Sequence, residues 1–224
     1  MYFKIPEEYI FMEKQGWLET QDIVYANDVE NKYLWLNDME WFSLDRIKKY
    51  INLAGDEEKF IPFAHTVSYD KWAWYIENNK NISVVLLYND EDAIQYYAPN
   101  FAAGLFRQIL NFCSSTEFYD ENTLKEINND DTFCSFDLAK KHLRKWKNSF
   151  KELFPEEYIK VIDNIIQHSK LKLIQLDNIK YYAIISPEEE ELLVKKYMYS
   201  PLINKDIYIQ YNRDLIDEIF WYDV

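Results

Sequence analysis

The stretch that decides the fold runs from Phe60 to Ala98 and reads FIPFAHTVSYDKWAWYIENNKNISVVLLYNDEDAIQYYA. Four apolar or alternating segments in it are short enough for strands, at residues 60 to 64, 72 to 76, 82 to 88 and 93 to 98. Clusters of Ser, Asn and Asp separate them, and these residue types favour turns. Strands and turns at this regular spacing predict an antiparallel meander.

The sequence predicts helices both before and after these strands in the chain. Pro6, followed by two glutamates, suits a helix start, and Gly16 suits its end. Ser43 is a plausible N-cap for a second helix, and Asn100 for a third whose apolar residues recur at helical spacing. The sequence therefore predicts an α+β fold, a mostly antiparallel sheet surrounded by helices.

A change in composition divides the chain. Ser, Thr, Asn, Asp and Glu dominate from residue 114 to 134, so we place a domain boundary near 116. Beyond it the pattern predicts helices from 136 to 150, from Pro155 onward and from Pro187 onward, with a hairpin turning at Asp177 and Asn178. We predict a domain from 1 to 115 and an α/β extension from 116 to 224.

Charge and composition exclude several classes of function. The 224 residues hold 25 basic and 39 acidic side chains, a net charge of −14, which argues against binding to nucleic acid. The three glycines, Gly16, Gly55 and Gly104, are too scattered to form a phosphate-binding loop. Two cysteines predict no disulfide framework and a reducing compartment. No apolar run suits a signal peptide or a membrane span, so we expect a cytoplasmic protein.

Residues able to perform catalysis or bind metal show no functional spacing. His65, His142 and His168 lie far from one another and from both cysteines, so we predict no metal and no cofactor, and we interpret His65 as a packing residue. There is no G-x-S-x-G elbow, and Cys113 lies on the apolar side of its helix. We predict that the protein is not an enzyme. The alternative that stays open is an enzyme that uses a catalytic pair of carboxylates among the 39 acids.

Several segments, in this order, resemble the SUKH superfamily, which contains fungal Smi/Knr cell-wall regulators and many bacterial immunity proteins. The segments are IPFA at 61 to 64, YDKWAW at 69 to 74, VVLL at 84 to 87 and YAPNF at 97 to 101. The resemblance covers about residues 1 to 115. The family pattern has a glycine before the turn aspartate, where this chain has Tyr69.

The resemblance implies an α+β fold and a protein-binding role, usually as an immunity protein that neutralises a nuclease- or deaminase-type toxin. The alternative that it leaves open is a regulatory scaffold in cell-envelope synthesis. The negative charge suits rapid capture of a basic toxin. The sequence leaves the oligomeric state open. The candidate partner-binding residues are acids in predicted loops and two possible aromatic anchors: Asp56, Glu57, Glu58, Tyr69, Trp72, Asp90, Glu91 and Asp92.

Overall fold

The fold is α+β, as the sequence predicts. A computed structural model describes residues 3–18, 39–55, 58–66, 68–78, 81–89, 93–115, 118–119, 134–176, 179–200, 202, 206–208 and 213–221. These ranges hold seven helices and ten strands. The helices are α1 (Glu7–Lys14), α2 (Leu44–Ala54), α3 (Phe101–Ser115), α4 (Phe136–Ser149), α5 (Glu156–His168), α6 (Pro187–Tyr197) and α7 (Arg213–Trp221).

The strands form two separate sheets. They are β1 (Met39–Trp41), β2 (Phe60–Thr66), β3 (Lys71–Asn78), β4 (Asn81–Leu87), β5 (Ala93–Ala98), β6 (Phe118–Tyr119), β7 (Cys134–Ser135), β8 (Lys172–Leu176), β9 (Ile179–Ala183) and β10 (Asp206–Tyr208). One sheet has the order β1-β2-β3-β4-β5-β10 and the other the order β7-β6-β9-β8. Within the described ranges, no helix combines the length and the apolar character needed to cross a membrane.

The chain divides into two units, and the division corrects the predicted boundary at residue 116. The first unit comprises Met1–Thr20, Asn37–Gly104 and Met198–Val224, and the second comprises Gln21–Leu36 and Leu105–Tyr197. The boundary lies inside α3, between Gly104 and Leu105, and not after that helix as the sequence pattern predicts. The last 27 residues belong to the first unit, because β10 pairs antiparallel with β5, with Ile207 opposite Ile94.

The six-stranded sheet of the first unit confirms the predicted meander. Strands β2 to β5 pair in sequence order and every neighbouring pair is antiparallel. Pro62 lies where the register of β2 shifts against β3, a position at which a missing N–H is tolerated. Consecutive turns of such a meander must lie at alternate ends of the sheet, and this alternation decides which loops can act together.

An aromatic core covers one face of this sheet. Trp74 contacts the rings of Tyr9, Phe63 and Phe101, with centroids 5.0, 4.8 and 5.7 Å away. The Tyr9 hydroxyl lies 2.6 Å from the carbonyl oxygen of Phe42 and 2.9 Å from that of Phe63, so its single proton is shared between these two acceptors. One buried side chain thereby joins α1 to two neighbouring backbone segments of the sheet.

Helices α2 and α7 pack on the opposite face. Phe220 of α7 stacks on Phe42 with 4.0 Å between ring centroids, and it lies 5.6 Å from Tyr50 of α2. On the same face, Lys71 Nζ lies 3.7 Å from Asp217 Oδ1 of α7. Only 3% of Lys71 is exposed, so this carboxylate offsets the charge of a buried ammonium group.

The second unit has its own aromatic core. Phe106 stacks on Tyr158 with 4.1 Å between centroids, and Phe112 meets Trp146 edge-on at 4.9 Å. Its four-stranded sheet contains the β8–β9 hairpin, which the sequence predicts around residues 177 and 178. Helices α4 and α5, also predicted from apolar spacing, pack against each other.

Candidate functional site

Two turns of the first unit come together at one end of its sheet. We call this region, residues 66, 68–70, 88 and 89, the turn end. The connection from β2 to β3 and the connection from β4 to β5 both lie there, since alternate turns of a meander share an end. The backbone N–H of Asn89 donates to Asp70 Oδ1 at 2.9 Å, so one carboxylate links both turns.

Tyr69 is the exposed aromatic residue of the turn end. Its side chain is 52% exposed, and its backbone has φ of 68°, the left-handed region that bulky residues rarely adopt. The turn around it is fixed by two backbone bonds, from Tyr69 N–H to Thr66 O and from Thr66 N–H to Asp70 O, each 2.9 Å. A strained conformation that is held this firmly is a reason to look for function.

The His65 ring packs against the Tyr69 ring. The two rings stack with 6.2 Å between centroids, and His65 is only 6% exposed. Its Nδ1 lies 2.9 Å from the carbonyl oxygen of Thr66, and its Nε2 lies 3.1 Å from Glu40 Oε2. Both ring nitrogens face acceptor oxygens, so a hydrogen bond from the imidazole to either oxygen orients the ring that faces Tyr69.

Charged groups continue across the sheet in one row. Glu40, His65 and Lys71 are direct cross-strand neighbours on β1, β2 and β3. The acid in this row is the most accessible member, since the Glu40 side chain is 57% exposed whereas Lys71 is buried. The row therefore presents negative charge to the solvent next to His65, whose ring faces Tyr69.

Glu58 lies at the other end of β2 from Tyr69. Its Oε1 accepts the backbone N–H groups of Lys59, at 2.9 Å, and Phe60, at 2.8 Å, so it caps the start of the strand. Burial, and then the negative charge of Glu58, raise the pKa of the Tyr50 hydroxyl. A cavity of about 30 Å³ between Tyr50 and Glu58 has room for a single water molecule. The seven residues of β2 span roughly 20 Å, so Glu58 and Tyr69 belong to different sites.

The assignment of Trp72 as a partner-binding anchor is wrong. Its side chain is 1% exposed and meets the Tyr97 ring edge-on at 4.8 Å. Trp72 and Trp74 are two residues apart on β3, so they point to the same face, and that face is the core. Five other predicted contacts lie outside the described residues: Asp56, Glu57, Asp90, Glu91 and Asp92.

The structure adds three residues that the prediction missed. Asp70, Glu40 and Asn89 join Tyr69 at or beside the turn end, and Asp90 directly follows Asn89 in the chain. Asp70 could have been found, because it is an acid in a predicted turn next to Tyr69. Glu40 could not, because its place depends on the pairing of β1 with β2. The interpretation of His65 as a packing residue is confirmed by its burial.

The described ranges contain no cluster of side chains suited to catalysis that compares with the turn end. No group of three His, Cys, Asp or Glu side chains there is close enough to hold a metal ion. Burial raises the pKa of Glu8 and of Glu190, and the Ser114 hydroxyl and Arg107 oppose the shift at Glu190. Glu8 lies in the first unit and Glu190 in the second.

Acidic charge is concentrated in the first unit. This unit contains 20 acidic and 10 basic residues, a net charge of −10 out of the chain's −14. The turn end belongs to this unit, together with the sequence Asp90-Glu91-Asp92. The net charge of the unit that carries Tyr69 therefore favours the approach of cationic groups.

Replacing Tyr69 by glycine tests whether its backbone is strained. Glycine adopts positive φ freely, so we expect the free energy of unfolding to rise by about 0.5 kcal/mol, even though the ring contact with His65 is lost. Chemical denaturation measures the change. The matched control is Ser68→Gly, one residue earlier and without positive φ, which should lower stability by about 0.5 kcal/mol. A similar loss in both variants would contradict the strain.

Comparisons of the chain with protein-family models, with curated proteins and with solved structures give no match. Membership of the SUKH superfamily therefore stays a prediction from the sequence pattern.

Proposed function

We propose that the chain is a protein-binding module that captures a basic protein toxin at the turn end of the first unit. The observation that carries the proposal is Tyr69, half exposed and held in a left-handed conformation on the more acidic unit. An aromatic ring fixed before binding loses little conformational freedom when a partner covers it. Tyrosine is also among the residue types that contribute most to protein interfaces.

The chemistry of the turn end suits a partner rich in arginine and lysine. A cationic side chain can lie over the Tyr69 ring while the acids near it bind the same charge. Glu40 is exposed next to His65, whose ring faces Tyr69, and Asp70 accepts the backbone N–H of Asn89. Negative charge over the whole unit accelerates the encounter, which an immunity protein requires because its toxin acts quickly.

The left-handed backbone at Tyr69 also supports the family resemblance. The SUKH pattern has glycine before the turn aspartate, and glycine is the residue that most readily adopts positive φ. This chain has tyrosine at that position and keeps the conformation that glycine prefers. We infer that the turn is retained and that the added ring serves recognition.

Parallel capture from the native cell tests this function. The wild-type chain is one bait, and the Tyr69→Gly variant, which keeps the turn and lacks the ring, is the other. We expect the wild type to retain a basic toxin that the variant loses, and the purified toxin to be inhibited by one equivalent of chain. Equal capture of several cell-envelope enzymes by both baits would favour the regulatory scaffold, and no difference between the baits would contradict the assigned site.

A further inference from the structure

Helix α4 of the second unit has a basic outer face, although the chain as a whole is acidic. Its 14 residues include four lysines, one arginine and a single acid, Asp137 in the first turn, so the helix has a net charge of +4. The second unit as a whole carries −4, which is what the first unit's −10 leaves of the chain's −14. We call Lys140, Lys141, Arg144 and Lys145 the α4 basic face.

The cationic residues of α4 repel one another. Residues three and four positions apart are neighbours on a helix surface, and like charges at this spacing destabilise the helix. The residues at this spacing from Arg144 are Lys140, Lys141, Lys147 and Asn148, so it has three cationic neighbours and no acid. A chain with 39 acids and 25 bases does not lack carboxylates to place there. Departures of this kind from local stability are expected where a function requires them.

The middle of the α4 basic face is open to solvent. Lys141 and Arg144 are exposed, and neither forms an ion pair with a residue in the described ranges. At the margin of the face, by contrast, Lys147 Nζ lies 2.6 Å from Asp163 Oδ1. The two central cations are therefore available to an anionic group from outside the chain.

We propose that the α4 basic face binds an acidic segment of a protein partner. Carboxylates form charge-assisted hydrogen bonds with lysine and arginine, and glutamates spaced three and four apart on a partner helix match the spacing of this face. Such complementarity gives rapid association and an affinity that salt weakens. The face lies in the second unit, so the proposal goes beyond the toxin site of the first unit.

A nucleic acid fits this face less well than an acidic protein segment. A long phosphate backbone extends beyond one helix and meets the net charge of −14, which repels it. The exposed positions of α4 are Asp137, Lys141, Arg144 and Asn148, and none of these side chains has an aromatic ring on which a base could stack. A short acidic segment stays on the helix and needs no stacking.

An anionic membrane also fits less well, because the apolar side of α4 is not available. Leu143 and Trp146 are fully buried, and Phe112 of α3 meets Trp146 edge-on at 4.9 Å. A helix that binds at a membrane surface places its apolar side among the lipids. Helix α4 can therefore offer a membrane only its charges.

Fluorescence anisotropy with a labelled acidic peptide tests the proposal. The probe has 14 residues, the length of α4, with glutamates at the spacing of the face. We expect the full chain to bind it with an affinity that falls as salt is added. We expect weaker binding of a single-stranded DNA oligonucleotide and of phosphatidylglycerol vesicles. No binding of the peptide, or tighter binding of the DNA or the vesicles, would overturn the proposal.

A double charge reversal tests the assignment to α4. Lys141→Glu combined with Arg144→Glu should weaken binding of the peptide at least about tenfold, because each substitution turns an attraction into a repulsion. The same variant should not lower the midpoint of urea denaturation, because it places opposite charges beside Lys140 and Lys145. A loss of binding without a loss of stability separates recognition from a structural role.

The matched control reverses two exposed lysines on another helix of the same unit. Lys195→Glu combined with Lys196→Glu on α6 makes the same change in net charge, and it should change the affinity for the peptide by less than about twofold. Equal losses of affinity in the two double variants, or an unchanged affinity in the α4 variant, would overturn the proposal. Neither result would bear on the toxin site, which lies in the first unit.

Discussion

Reversing Asp90, Glu91 and Asp92 to lysine is expected to weaken binding of the basic partner by about 100-fold. These acids directly follow Asn89 in the sequence, and the backbone N–H of Asn89 donates to Asp70 at the turn end. Each reversal removes an attraction and adds a repulsion toward a cationic surface. Isothermal titration calorimetry with the purified toxin measures the loss.

The matched control reverses Asp56, Glu57 and Glu58. It makes the same change in net charge, but Glu58 lies at the opposite end of β2, roughly 20 Å from Tyr69. We expect a loss of less than about fivefold, which salt abolishes, because distant charges act only through screened long-range attraction. Equal losses from the two triple variants would mean that net charge alone governs binding. A larger loss of affinity in the triple variant that includes Glu58 would mean that the partner binds at the end of the sheet opposite Tyr69.

Removing a single oxygen atom from Tyr9 is expected to lower the free energy of unfolding by about 2 kcal/mol. In Tyr9→Phe, the ring keeps its contacts with Trp74 and Phe63, but the carbonyl oxygen of Phe42 loses a buried donor at 2.6 Å. A group left without its hydrogen bond away from water carries the full cost of its desolvation. Urea denaturation followed by tryptophan fluorescence measures the change.

The second unit supplies a matched control for this substitution. The sequence Pro-Glu-Glu-Tyr-Ile occurs at residues 6 to 10 and again at 155 to 159. Tyr158 stacks on Phe106, and burial, followed by the charge of Glu157, raises its pKa to about 12, with no hydrogen bond contributing to that shift. Tyr158→Phe should therefore change stability by less than about 0.5 kcal/mol. Losses of similar size in the two variants would contradict a special role for the Tyr9 hydroxyl.

Local sequence patterns predicted most elements of the fold. Strands β2 to β5 follow from apolar segments separated by turn residues, and the β8–β9 hairpin follows from Asp177 and Asn178 between two such segments. The place of β10 could not be predicted, because residues 206 to 208 pair with β5 across more than 100 residues of chain. A three-residue strand is too short for its sequence to specify which distant strand it pairs with. The domain boundary predicted near residue 116 was wrong for the same reason, because it also depends on pairing between segments far apart in the chain.

The sequence predicted the candidate site only in part, and two errors in that prediction could have been avoided. Tyr69 follows from an aromatic residue among turn residues, although its positive φ is not visible in the sequence. The strand period of two places Trp72 on the same face as Trp74, and this makes it a core residue. Alternation of turns along a meander separates Glu58 from Tyr69 before any coordinates are known. The support of Tyr69 by His65 and Glu40 required the pairing of β1 with β2.

Hydrogen exchange of the purified chain, alone and saturated with the toxin, tests the central claim most directly. The claim is that the partner covers the turn end of the first unit. We expect slower exchange of backbone amides at residues 66 to 70 and 88 to 93, with no change at residues 55 to 58. Protection confined to residues 55 to 58, or to the second unit, would contradict the account.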